Sequence, residues 1–184
     1  MTLTGDPVAA RYAQAVFESA KADDRLEETL EQLSFIGTLL RDHGPLRELI
    51  NHPGVAAGEK VALFGRLLHG SWSSLVHAFI TMVIALERAD ALPQIAQTLQ
   101  ELVDAERRVL RVTVRSPYPL PHAVLERLRV RLEHREQQHV LMTMELDAKL
   151  LGGLQVFVGS RVIDTSVRRQ LDDLRERLQS VRVS

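Results

Sequence analysis

Seven histidines, 24 carboxylates and 23 Lys or Arg residues are the groups with which this chain could do chemistry, and their spacing argues against most of it. His134 and His139 stand five apart, which does not bring both to one face of a helix. No His-Glu-x-x-His motif occurs and no cysteine exists to complete a zinc site, so no metal is expected. The carboxylate pairs Asp23/Asp24, Glu27/Glu28 and Asp172/Asp173 are sequence neighbours. Adjacent residues point apart on a helix, so these read as solvated faces and not as acid/base pairs. Gly58-Glu59-Lys60 lacks the first glycine and the hydroxyl residue of a phosphate loop, and there is neither a G-x-G-x-x-G nor a G-x-S-x-G motif. No cofactor and no catalytic residue are expected.

One charged constellation stays open. Arg127, Arg131 and Arg135 are spaced i, i+4, i+8 and line one helical edge beside Arg129. Such a stripe suits nucleic acid, an acidic protein partner, or plain solvation of a helix face. Glu126, Glu133 and Glu136 interrupt its field, and an aromatic content of 4% disfavours a base-stacking platform. Charge is also divided along the chain: residues 1–105 hold 8 Lys/Arg against 14 Asp/Glu, and residues 106–184 hold 15 against 10. That asymmetry fits two parts with different partners. There is no membrane-length apolar run and no secretory signal, so the expected compartment is the cytoplasm, with any membrane association through partners.

The elements that must position these residues are of two kinds. Val8, Ala9, Tyr12, Ala13, Val16, Phe17 and Ala20 mark a first helix, capped by Asp6 with Pro7 at its first position. Asp24 to Glu27 resembles a capping box opening a second, with Leu26, Leu30, Leu33, Ile36, Leu39 and Leu40 inward and Gly44-Pro45 as its stop. Leu46, Leu49 and Ile50 belong to a short third helix. Val61, Phe64, Leu67 and Leu68 belong to a fourth that stops at Gly70. Ser71 or Ser73 caps a fifth, with Leu75, Val76, Phe79, Ile80, Val83 and Leu86 inward. A sixth starts near Ala91, with Ile95, Leu99, Leu102 and Val103 inward. From Val109 the grammar changes to β-branched alternation. Strands are expected at Val109–Arg115, Val140–Leu146, Leu154–Val158 and Arg161–Ile163. A helix carrying Val124, Leu125, Leu128 and Leu132 falls between the first two, and Leu171, Leu174 and Leu178 mark a last helix. The expected fold is α+β: an N-terminal six-helix bundle over residues 1–105, then a small C-terminal α+β domain over residues 106–184.

Residues 146–171 form the most specific pattern in the chain. Gly152-Gly153 allows a sharp turn into a buried strand, Gly159-Ser160 is a hairpin turn, and Asp164 or Thr165 caps the last helix, which Ser166 starts. This order resembles the signature of ATP synthase delta subunits, whose mitochondrial counterpart is the oligomycin-sensitivity protein. In that pattern an acidic residue, a turn, two small residues and a strand ending in glycine precede an Ile-Asp-x-Ser-x-Arg motif, here Ile163 to Arg168. Ala10-Arg11-Tyr12-Ala13-Gln14-Ala15-Val16-Phe17 is similar to the family's opening helix. The chain departs from the pattern at Ala148-Lys149, Ser160 and Thr165, all in turns.

The resemblance implies a non-catalytic stator subunit of an F-type ATP synthase at the cytoplasmic face of the membrane. It implies that the N-terminal bundle binds the N-terminal helix of alpha subunits in the groove between its first and fifth helices. Tyr12, Val16, Phe79 and Val83 would line that groove, with Tyr12 and Val83 near its centre; membership of an ordinary core is the alternative for all four. It implies that the C-terminal domain binds b-type stalk subunits, for which Arg127, Arg131 and Arg135 are the candidate edge. Gly152, Gly153, Gly159, Asp164 and Ser166 are expected to be structural. A free-standing helical adaptor or a nucleic-acid-binding regulator is the alternative from another class.

Overall fold

The computed structural model describes residues 6–68, 72–159, 161–167, 169 and 171. The chain divides into two compact units, Met1–Val103 and Asp104–Ser184. The described residues form an α+β structure of seven α-helices, one 3-10 turn and a four-stranded sheet.

In the first unit, α1 runs from Pro7 to Ala22. Its first turn is fixed by Asp6, whose side chain accepts from the Val8 N–H at 3.0 Å, and by the preset φ of Pro7. Its far end corrects the sequence reading. Asp24 adopts φ 55°, and the Arg25 N–H donates to the Ala20 carbonyl at 2.8 Å. This is a left-handed helix terminus, so Asp24 closes α1 instead of opening α2. The second helix, α2 (Leu26–Asp42), starts without any side-chain cap. Gly44-Pro45 likewise opens α3 (Gly44–Asn51), the break itself falling at His43. Helix α4 spans Ala57–Leu67, and the stop expected at Gly70 lies outside the described residues.

Ser73 caps α5 (Ser74–Ala85) by accepting from the Val76 N–H at 3.2 Å, and its own N–H donates to Gln32 of α2 at 3.0 Å. Glu87, at φ 56°, ends that helix in the way Asp24 ends α1. A 3-10 turn over Ala89–Ala91 then leads into α6 (Leu92–Glu106). Leu33, Ile36, Phe64, Ile80, Ile95 and Leu99 are fully or almost fully buried and belong to one continuous core.

The second unit is built on β1 (Val109–Ser116), which is paired on both sides. After α7 (His122–Glu136) the chain returns as β2 (His139–Leu146), parallel to β1 with Val109 opposite His139. On the other side of β1 lies β3 (Gln155–Val158), antiparallel, followed by β4 (Arg161–Asp164). One face of this sheet is closed. Val112, Val114, Val140, Val156 and Val158 share it with Leu132 of α7, and Leu125 and Leu128 pack alongside. Val124, expected inward, is 43% exposed because it lies about 80° round α7 from Leu132, at the margin of the buried face. Leu174 and Leu178 of the expected last helix lie outside the described residues.

Gly37 shows how tightly the first unit closes. A Cβ there would stand 2.6 Å from the Cβ of Ala96, well inside contact distance, and would also touch Pro93. Gly37→Ala is expected to cost about 1–3 kcal/mol of folding stability through overpacking. Gly58→Ala, with nothing within 4 Å of the added carbon, is the control and should not lower it. Denaturant unfolding of both variants checks this; equal midpoints would show that α2 and α6 can part at no cost.

Candidate partner-binding surfaces

Two rows of side chains border the meeting of α1 and α5. On α1 they are Val8, Tyr12, Ala15 and Ser19; on α5 they are Leu75, Phe79, Met82 and Leu86 at its C-cap. Both rows have the spacing i, i+4, i+7, i+11, which keeps each on one narrow edge of its helix. They meet at Tyr12 and Phe79, whose rings stand edge to face with centroids 6.4 Å apart. Tyr12 is half-buried, Phe79 is buried, and Met82 and Leu86 are 41% and 53% exposed. The result is an apolar strip open to solvent over a dense floor.

That floor contains two of the four residues expected to line the groove. Val16 is buried and Val83 is wholly so. Each lies one turn beyond its aromatic neighbour, and one turn of four residues rotates a side chain by about 40° toward the core. Val83 therefore supports the strip from below and offers no surface at its centre, contrary to the expectation. Leu86, expected inward, is exposed because it falls on the Phe79 edge instead. The sequence reading does not single out Met82; the signal was available in its i+3 spacing from Phe79.

The opposite edge of α5 borders a different hollow. Ala57, Gly58, Val61 and Ala62 of α4 face His77, Thr81 and Ala85 of α5 around a volume of about 360 Å³, with Trp72 in its wall. Trp72 and His77 pack edge to face at 4.7 Å. The small side chains of α4 open this hollow, and the chain's single tryptophan was the sequence signal for it.

Along α7, Arg127, Arg131 and Arg135 are all exposed. Arg135 makes a long ion pair with Glu136 at 3.6 Å, and Glu136 also takes Arg161 at 2.9 Å. Arg129 is set apart from them, clasped between Glu126 and Glu133. Those bonds hold both carboxyls below the ordinary glutamate range. For Glu126 the Arg129 bond is the largest cause, and for Glu133 it is the bond from the Val140 N–H. Two of the three interrupting acids thus form a local clasp on Arg129 while Glu136 pairs with Arg135 and Arg161, and Arg127, Arg131 and Arg135 remain on the solvent side.

The residues of the C-terminal pattern form a joint. Gly153 has φ 80°, and a Cβ on it would run into the Thr165 carbonyl oxygen and stand 2.9 Å from the Ser166 Cα. Thr165 donates from both N–H and hydroxyl to the Leu154 carbonyl, each at 2.9 Å. Ser166 Oγ accepts from the Arg169 N–H at 3.3 Å, so Ser166 is the cap of the following helix, a role the sequence reading gave to Asp164 or Thr165. Asp164 accepts instead from the Ser166 N–H at 2.8 Å and from the Gln155 side chain at 3.0 Å. Gly159, at φ 57°, sits in the β3–β4 turn. Among the described residues no cluster of three or more His, Asp or Glu is placed to hold a metal.

Comparison with known proteins gives a consistent picture. A family model described as "ATP synthase delta (OSCP) subunit" matches residues 8–178. A protein named ATP synthase subunit delta from Parvibaculum lavamentivorans is 34% identical over 91% of this chain and 87% of its own. Its namesake from Methylorubrum populi is 31% identical over 95% and 93%. Among solved structures, a chain of the Toxoplasma gondii mitochondrial ATP synthase hexamer shares the fold with a TM-score of 0.74 at 19% identity, covering 95% of this chain and 98% of that one.

Asp164 gives the joint a pH dependence. Ser166, first through its hydroxyl and then through its N–H, holds the Asp164 carboxyl below its ordinary value near 3.8. A depressed carboxyl stabilises the fold fully above its unfolded pKa, and that contribution is lost as pH falls through the lower folded value. Asp164→Asn should therefore lower stability at neutral pH and flatten the acid limb of the stability curve below about pH 4. Chemical unfolding at a series of pH values tests this; an acid limb unchanged in slope would remove Asp164 from the joint.

Proposed function

The chain belongs to the ATP synthase delta (OSCP) subunit family, and on that premise we propose that it is a non-catalytic stator subunit of an F-type ATP synthase. Residues 1–105, as a six-helix bundle, take the N-terminal amphipathic helix of an alpha subunit in the catalytic head. Residues 106–184 take the b-type subunits of the peripheral stalk. The subunit resists rotor torque during proton-driven ATP synthesis and sits at the cytoplasmic face of the cell membrane, held there by its partners. No described helix is long and apolar enough to cross a membrane.

The observation that carries this reading is the double apolar row between α1 and α5. An amphipathic helix laid into such a strip buries its own i, i+3, i+4 row against a preformed surface. Tyr12 presents a large ring whose hydroxyl can stay wet, and Phe79 fixes that ring from the side. Met82 adds an adaptable side chain suited to an irregular partner surface. Val16 and Val83 set the level of the floor without touching the partner. For the stalk side, Arg127 and Arg131 lie on the exposed edge of α7, outside the Arg129 clasp. Rim charges of this kind steer an acidic partner and fix its register. A link against torque needs slow dissociation and stiffness, and neither requires a reactive group.

A peptide of the alpha N-terminal helix, titrated against the whole chain, tests the head-side contact. Tyr12→Ala should weaken binding by about 2 kcal/mol, as for a central aromatic anchor. Met82→Glu should lower affinity more than about tenfold while melting near wild type, because the side chain is already exposed. Val83→Ala should instead lose about 1–4 kcal/mol of folding stability through a cavity. Unchanged peptide affinity in both Tyr12→Ala and Met82→Glu would refute the α1–α5 site. On the stalk side, reversing the charge of Arg127, Arg131 and Arg135 together should weaken stalk binding and flatten its salt dependence. Stalk affinity equal to wild type would leave that edge as a solvated face.

A further inference from the structure

The described four-stranded sheet has two edges, and they are guarded differently. β4 is four residues long and carries Arg161 and Asp164 at its ends, and both shortness and charge discourage a further strand. β2 runs for eight residues in unbroken register with β1. It holds no proline, no lysine and no bulge, and Glu145 is its one carboxylate. That carboxylate is already engaged by Arg115 of β1 at 2.7 Å. The direction of each β2 backbone group follows from its bonds. The His139 N–H donates to the Arg108 carbonyl at 2.9 Å, and just past the strand the Asp147 N–H donates to the Ser116 carbonyl at 3.0 Å. Alternation between these two turns Leu141, Thr143 and Glu145 toward β1 as well. The Val140 N–H points away from β1 and is taken by Glu133 at 3.1 Å. Met142, Met144 and Leu146 point away in the same sense, and among the described residues nothing bonds their N–H groups there. Glu133 therefore blunts only the start of this edge, and the stretch from Met142 to Leu146 is left as a template.

We propose that this edge accepts an extended segment of another protein as a fifth strand beside β2. The free N–H and C=O groups fix the occupant's backbone. Only a strand offers partners at the same repeat, whereas a helix has satisfied its own. The side chains fix its pattern. Leu146 is 65% exposed and Met144 half-buried on the face that carries the core, while Thr143 and Glu145 lie on the other face. The occupant thus has apolar residues at every second position and polar residues between them. A second copy of this chain is disfavoured by size. Its own Val140 N–H is equally taken, so it brings only the same short stretch. Such a pairing falls well short of the ~1,200 Å² that lasting complexes between folded partners bury. The inference does not depend on the stator reading.

The test uses the whole chain and two synthetic hexapeptides. One is Thr-Val-Thr-Val-Lys-Val, and the other has the same residues with its valines adjacent. In the free chain the amides of Met142, Met144 and Leu146 should exchange at least about tenfold faster than that of Thr143, which is bonded to β1. Saturation with the alternating peptide should slow those three at least about tenfold and leave Thr143 unchanged, and the scrambled peptide should have no such effect. Met144→Pro removes the central outward N–H where an edge strand tolerates proline. It should weaken the alternating peptide at least about tenfold. The exchange measurements need no variant, so they decide the matter whatever Met144→Pro does to folding. Protection of the three amides equal to that of Thr143 in the free chain would overturn the proposal, as would equal binding of the two peptides. Protection that grows with protein concentration alone and is lost in Met144→Pro would overturn it too, by making a second copy the occupant.

Discussion

Helix α5 carries more apolar surface than one core can cover, and the first unit is arranged around that excess. Between Leu75 and Leu86 nearly every position is apolar, the polar ones being His77 and Thr81. A helix apolar on all sides must be surrounded or must leave a face for something else. Val76, Ile80, Val83 and Ile84 go into the core. The remaining edges are only partly closed: α4 stands off on one side behind small residues, and α1 meets the other through Tyr12 and Phe79 alone among the aromatic contacts there. Exposed Met82 and Leu86 are the part of the excess that this chain does not bury. At about 25 cal/mol per Å², even the uncovered portions of two such side chains are a substantial incentive for a partner helix.

The second unit solves a different problem, that of staying stiff with few residues. β1 is hydrogen-bonded along both edges, so neither β2 nor β3 can move without breaking its pairing to β1. The end of α7 is tied to the start of β2 through Glu133, which accepts from the Val140 N–H at 3.1 Å while holding Arg129. At the other end of the sheet, Gly153 lies under the Thr165 carbonyl so closely that no side chain fits. These ties fix both ends of the described sheet. The proposed stator would gain from such over-determined joints, because each removes a soft mode.

Much of this was legible in the sequence, because burial is written at the periods of 3.6 and 2. The faces Ala9–Ala13–Val16–Phe17–Ala20 and Val112–Val114 could be read directly. Helix ends were harder. Asp24, Glu87, Arg108 and Gln137 all adopt positive φ where glycine is usual. With no glycine to mark the stop, Asp24 resembles a start. Val83 and Met82 are equally apolar, and only the position of α1 determines that one is floor and the other surface. That is non-local information, absent from the period of any single helix. Thr165, one of the departures from the family pattern, fits because its hydroxyl and N–H both reach the Leu154 carbonyl. The signature therefore specifies a joint, and more than one side chain can complete it.

The two kinds of surface differ in how they respond to their surroundings, and this bears on how a proposed stator would hold. The α1–α5 strip is apolar and depends little on ionic strength. The arginine edge of α7 would act through charge, which is screened within about 8 Å at physiological salt. A tether with one apolar and one electrostatic grip can assemble quickly at the charged end, where steering raises the association rate, and release slowly at the apolar end. Once one grip is made, the second forms at a high effective concentration. Under the proposed function neither contact would then need exceptional affinity, and the division of charge between residues 1–105 and 106–184 would become a division of labour between holding and finding.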